Sequence, residues 1–150
     1  MNQSIPIVLL VDDDDGHLMV ARRAIARANL AVDVHVAHTG KEALQELGLD
    51  DGAEAKPPDV PVLVMLDLSM PGVSGWDVLR RIRSDGRRRQ IPVVVVSSSG
   101  RPEDVRRSYE LGANSYLVKR YDAGRPGGYV ADAAKYWVEL NVPPVVSHAN

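Results

Sequence analysis

Two apolar runs in this chain end in carboxylates, and two others end in a hydroxyl and an ammonium. Asp67 follows the five apolar residues "VLVML" (62–66). An ionised carboxylate that is buried and unpaired at such a place costs several kcal/mol. It therefore needs a compensating partner or a strand tip that faces water. Asp12 and Asp13 follow "IVLLV" (7–11), Ser97 follows "IPVVVV" (91–96) and Lys119 follows "SYLV" (115–118). Three carboxylates brought together repel and raise one another's pKa. A divalent cation removes that repulsion, and hard oxygen ligands with room for water suit Mg²⁺. Lys119 supplies a second positive charge for Asp67 or for a group attached to it. A carboxylate flanked by a metal and an ammonium is a nucleophile suited to a phosphoryl group, giving an aspartyl phosphate. Ser97 can then donate to a phosphoryl oxygen.

That chemistry requires the four runs to end at one place. Short apolar runs alternate here with helical patterns. The runs 7–11, 62–66, 91–96 and 115–118 read as buried strands, and "VDVHVA" (32–37) alternates as a half-exposed one. Between them, Leu18, Ala21, Ile25 and Ala28 recur at helical spacing, closed by Asn29. Thr39 with Glu42 makes a capping-box pattern for a helix that Gly48 stops. Ser74 caps a helix to about Arg83, and Pro102 opens another that Gly112 ends. The last helix is expected from Gly128 to Leu140, with a tail beyond 141. Segment 49–61 is a polar, Pro/Gly-rich surface loop, and "GRRRQ" (86–90) a solvated basic cluster. The pattern (βα)₅ predicts an α/β fold, a parallel sheet covered by helices on both faces. In such a sheet ligands bind beyond the carboxyl ends of the strands. Asp12, Asp13, Asp67, Ser97 and Lys119 all sit there. Strand two offers only His38 and Thr39, and is expected at an edge.

Composition bounds the rest. The chain has 150 residues, 45% hydrophobic and 25% charged, with a net charge of −2. That fits one globular domain, 1–150 with its core at about 5–140, and gives no basic field for nucleic acid. No cysteine is present, which excludes disulfides, thiol catalysis and cysteine-bound zinc, and suits a reducing cytoplasm. No signal peptide and no membrane-spanning run is apparent. Phenylalanine is also missing, so Leu, Val and Ile must fill the core. The histidines at 17, 35 and 38 are scattered, and no metal role is expected of them.

The stretches "VLLVDDD", "VMLDLSMPGVSGWDVL", "IPVVVVSSS" and "GANSYLVK", in this order and at these intervals, resemble the receiver domains of two-component response regulators. The resemblance covers about residues 5 to 140. It implies a flavodoxin-like doubly wound sheet of strand order 2-1-3-4-5. It implies that Asp67 accepts a phosphoryl group from a sensor histidine kinase. Asp13 would hold Mg²⁺ directly, Asp12 partly through water, and the backbone carbonyl of Ser69 would be a further ligand. Ser97 would be the switch hydroxyl, Lys119 the phosphoryl-binding lysine and Tyr116 the aromatic rotamer that reports the state. Within the family, "DDDDGHLMVARRAI", "VRRSYELGANSYLVK" and "KYWVELNVPP" are most similar to stand-alone regulators of phytochrome kinases, implying a bacteriophytochrome as the kinase.

One position departs from the family pattern. Proline after a cis peptide usually follows the lysine, and Arg120 stands there instead. A cis bond before a non-proline residue costs about 2.5–4 kcal/mol, so a trans Lys119–Arg120 peptide and a remodelled following loop are expected.

The expected output is a surface made by the fourth helix, fifth strand and last helix, carrying Tyr129, Tyr136, Trp137 and Val138. A homodimer through that surface, and an unknown downstream protein, would complete the pathway. No output domain is expected after residue 140, and no enzyme activity beyond the domain's own phosphorylation and dephosphorylation. Two rival readings exist. "DDDGHL" (13–18) resembles the opening of haloacid-dehalogenase-type phosphatases, although this leaves Asp67 unexplained. A receiver-like interaction module that is never phosphorylated is the other. An EF-hand is excluded, because its register would put Val11 first and Arg22 last.

Overall fold

The structure, a computed structural model, describes residues 4–50 and 60–144. Most of the expected 49–61 loop and the end of the tail lie outside the described residues. Five strands, β1 (Ile7–Val11), β2 (Asp33–Ala37), β3 (Leu63–Leu66), β4 (Val93–Ser97) and β5 (Ser115–Val118), alternate with helices α1 (Asp15–Arg27), α2 (Gly40–Glu46), α3 (Gly75–Ser84), α4 (Pro102–Glu110) and α5 (Gly128–Lys135). All four pairings are parallel, and the order is β2-β1-β3-β4-β5. The parallel sheet expected from the alternation, and the flavodoxin-like order that the resemblance implies, are therefore present, with β2 at one edge.

Alternate residues of the central strands feed two separate cores. Leu9, Val11, Val64, Leu66, Val93 and Val95 pack with Val78, Leu79 and Ile82 of α3 and Ala43 of α2. Val8, Leu10, Leu63, Met65, Val94 and Val96 pack with Leu18, Ala21 and Ile25 of α1 and Val130 and Ala134 of α5. Burial on both faces explains why β3 and β4 read as unbroken apolar runs.

Local chemistry sets the element ends. Asp14 caps α1 by accepting from the His17 amide at 3.2 Å. Ser74 and Asp77 form a reciprocal capping box on α3. Thr39 accepts from the Glu42 amide at 3.0 Å, but the Glu42 carboxylate takes the His38 amide at 2.6 Å instead of closing the expected box on Thr39. Strand β4 starts at Val93, two residues later than the apolar run suggested. Pro92 has no N–H to give a ladder, and the Val93 amide donates to the Asn114 side chain at 2.8 Å. The last helix is α-helical only to Lys135 and continues as a π-helical stretch, Tyr136–Leu140.

Arg83 staples the opposite end of the sheet from the polar runs. Its guanidinium donates to the carbonyls of Gly112, Arg89 and Ile91 at 2.8–2.9 Å and to Asn114 Oδ1 at 2.8 Å. Arg83→Met leaves these acceptors without that donor. It is expected to lower unfolding free energy by about 2–3 kcal/mol, measured by urea denaturation, with the divalent-cation affinity of the opposite end unchanged.

Candidate functional site

The sheet order places the acidic run-ends side by side. β1 and β3 are neighbours with Val11 opposite Leu66, and the Asp67 amide donates to the Val11 carbonyl at 2.9 Å. The Asp12 amide donates to Ala37 O at 3.1 Å, fixing the first acid on its other side. At the far side of β4, the Lys119 amide donates to Ser97 O at 2.8 Å. Lys119 then reaches back: its Nζ lies 2.8 Å from Asp12 Oδ2 and 3.7 Å from Asp67 Oδ2. One carboxylate oxygen each from Asp12, Asp13 and Asp67 lies within 4.8 Å of the others. Asp12 and Asp67 are 3% and 5% exposed, whereas Asp13 faces solvent. The mouth of the site is thus open on the Asp13 side.

The two buried acids differ in electrostatic state. Burial pushes the Asp67 carboxyl up to about 6, the neighbouring Asp12 and Asp13 charges add to this, and Lys119 and a Ser69 backbone hydrogen bond oppose it. Burial works on Asp12 in the same sense, but His17, Lys119 and the Asp14 amide outweigh it and hold that carboxyl at about 2. Lys119 is itself raised: burial would lower it, and its contact with Asp12 and the charge of Asp67 override that. One ammonium thus compensates Asp12 and leaves the Asp67 charge short of a partner. Three clustered oxygens with one open side and an unmet negative charge fit a hard divalent cation.

Ser97 and Tyr116 meet at a second point. Ser97 is 1% exposed and its hydroxyl accepts from the Ser99 amide at 3.1 Å. The Tyr116 hydroxyl donates to the Ser99 carbonyl at 2.7 Å. The two therefore converge on Ser99, at the end of the strand between Asp67 and Lys119. Ser69 is exposed, and its backbone bonds the Asp67 carboxylate.

Residues 8–125 match the response regulator receiver domain family. This chain belongs to that family. The receiver domain is 36% identical over 138 residues to the probable methanogenesis regulatory protein FilR2 of Methanothrix harundinacea, covering 92% of this chain and 87% of that one. It is 29% identical to response regulator Rcp1 of Synechocystis sp. over 92% of both chains. Among solved structures, the phosphorylated cyanobacterial phytochrome response regulator RcpA superposes with a TM-score of 0.81 at 30% identity, over 94% of this chain and 99% of that one. The Mn²⁺-bound form of Rcp1 gives 0.81 at 28% identity, over 93% and 99%. The resemblance to stand-alone phytochrome regulators is borne out, and the dehalogenase-type phosphatase is not favoured.

Other features of this receiver domain divide between those that match expectation and those that do not. No described peptide bond is cis, so Lys119–Arg120 is trans as expected. His17, of which only the absence of a metal role is expected, sits with Nδ1 2.8 Å from Asp12 Oδ2 and Nε2 2.9 Å from the Tyr129 hydroxyl. Tyr129, expected on the output surface, is buried against the α1 side of the sheet. The start of α5 buries Gly128, Tyr129, Val130 and Ala131 in succession, so stripe periodicity could not assign its faces. His35 and His38 pair with surface acids of β2, α1 and α2. No described helix is long and apolar enough to cross a membrane.

Proposed function

We propose that this receiver domain is a cytoplasmic phosphoacceptor in which Asp67 takes a phosphoryl group from a sensor histidine kinase of the phytochrome class. The observation that carries the reading is the placement of Asp67, buried beside Asp12 and Asp13 with Lys119 Nζ 3.7 Å away. Asp12, Asp13, Asp67 and the Ser69 carbonyl would hold Mg²⁺, which would neutralise charge on the phosphoryl oxygens. An Asp67 oxygen attacks phosphorus in line with the leaving imidazole nitrogen. The P–O bond forms, the P–N bond breaks, and its electron pair leaves with the kinase histidine. Lys119 offsets the charge gained at Asp67, and Ser97 donates to a phosphoryl oxygen.

The output follows from the Ser97–Ser99–Tyr116 contacts. Drawing the Ser97 hydroxyl toward the phosphoryl group breaks its bond with the Ser99 amide and frees Tyr116 to move inward. Both effects bias a two-state equilibrium of the α4–β5–α5 face. That face exposes Tyr109, Val118, Tyr136 and Leu140. A homodimer through it, or contact with a downstream protein, would read the state.

The deciding experiment is binding of beryllofluoride, a phosphoryl analogue, with and without Mg²⁺, followed by phosphotransfer from phytochrome-class kinases. Binding that needs both Mg²⁺ and Asp67 is the expected result. Binding to neither form would leave only an interaction module that is never phosphorylated. Light scattering with the analogue tests the dimer: a monomer in both states would remove it.

A further inference from the structure

Asp12 is gripped from both sides. Its Oδ2 lies 2.8 Å from Lys119 Nζ and 2.8 Å from His17 Nδ1, while Oδ1 accepts the Asp14 amide at 2.9 Å. The far nitrogen of His17 is 2.9 Å from the Tyr129 hydroxyl. Tyr129 is the second residue of α5 and buried. The guanidinium of Arg120 lies over the Tyr129 ring, 5.4 Å from its centroid. The approaches close a circuit: Asp12 to Lys119, along the chain to Arg120, across to Tyr129, then through His17, whose Nδ1 lies against Asp12, back to the start. The circuit joins the end of β1, the first turn of α1, the residue after Lys119 and the start of α5. It occupies the point where the family pattern carries proline. With Arg120 there, contacts instead of a pyrrolidine ring must fix the backbone that carries Lys119.

The circuit also has a mechanical consequence. A carboxylate oxygen offers two lone pairs, and two nitrogens, Lys119 Nζ and His17 Nδ1, each lie 2.8 Å from Asp12 Oδ2, although the His17 approach is not aligned as a hydrogen bond. A cation that takes Asp12 as a ligand must turn this carboxylate or draw it away from one neighbour. Lys119 also faces Asp67 and stays near the cluster. Among the described residues His17 pairs with no second acid, so its contact gives way first and Tyr129 follows.

We propose that His17 and Tyr129 are positioning residues that tie the acid cluster to the last helix, so that cation binding at Asp12, Asp13 and Asp67 is transmitted to α5 through the Tyr129 hydroxyl. This rests on the reading of the cluster as a cation site. The test is Mg²⁺ titration of the full chain followed by backbone amide NMR, comparing wild type with Tyr129→Phe, His17→Gln and the double variant at saturation. In wild type, the amides around Asp13 and Asp67 and those of Gly128–Lys135 are expected to shift with one midpoint. In either single variant the α5 shifts are lost while those around Asp67 persist, and the double variant loses nothing more. Thermal denaturation identifies a variant that has merely lost its fold, and Tyr129→Phe keeps the ring and its stacking on Arg120. Unchanged α5 shifts in Tyr129→Phe, or no α5 shift in wild type when the Asp67 region responds, overturn the relay alone. No response anywhere removes the cation site and the relay together.

Discussion

Asp67→Asn is expected to abolish phosphoryl and beryllofluoride uptake while making the metal-free protein more stable at neutral pH. The loss is chemical, because an amide offers no anionic oxygen to attack phosphorus. The gain is electrostatic. Burial first, then the Asp12 and Asp13 charges, raise the Asp67 carboxyl from 3.8 to about 6. A folded pKa above the unfolded one means that folding binds the proton more tightly. The stability this group contributes is therefore complete below its unfolded pKa and is lost as pH rises through about 6. Taken at face value the shift corresponds to about 3 kcal/mol. The charge is shared with Asp12 and the open side of the site admits water, so a gain of about 1–2 kcal/mol is expected at neutral pH. Urea denaturation in chelator across the weakly acid range measures it. The wild-type midpoint should fall relative to the variant as pH rises through about 6. His35, whose imidazole is raised chiefly by Asp33, titrates alike in both proteins and cancels in the difference. Parallel curves would show that Asp67 carries no unmet charge.

This site was readable in the sequence because a parallel sheet converts a one-dimensional rule into a place. Each strand runs the same way, so the first polar residue after each run lands on one edge. Asp12, Asp67 and Lys119 obey that rule, and the sheet order sets their neighbours. His17 and Tyr129 do not obey it. They are 112 residues apart, neither follows a strand, and their meeting depends on α1 and α5 packing side by side. The inward turn of Tyr129 was equally hidden, since a helix start buried on several sides has no polar stripe to orient it. The late start of β4 had a local cause in Pro92. The partner of the Val93 amide, Asn114, lies 21 residues further along the chain, so sequence pattern alone cannot supply it.

Lys119→Met separates the two positive charges the site employs. The lysine ammonium is the only cation among the described residues that touches both Asp12 and Asp67. Methionine preserves the apolar stem and removes the charge. Two consequences point in opposite directions. Loss of a preorganised charge at the reacting carboxylate is expected to slow phosphoryl uptake by about 100-fold. The ammonium also occupies Asp12 Oδ2 at 2.8 Å, where it competes with a cation for the same oxygen. Its removal should tighten Mg²⁺ binding, measured by calorimetry, while uptake falls. The metal-free variant should also be less stable than wild type at neutral pH, because Asp12, held at about 2 partly by this lysine, loses a partner in a buried place. Saturating Mg²⁺ should restore most of that loss, giving the variant a larger metal-induced stabilisation than wild type. If Mg²⁺ affinity fell together with uptake, the lysine would be organising the acid cluster for the ion instead of competing with it.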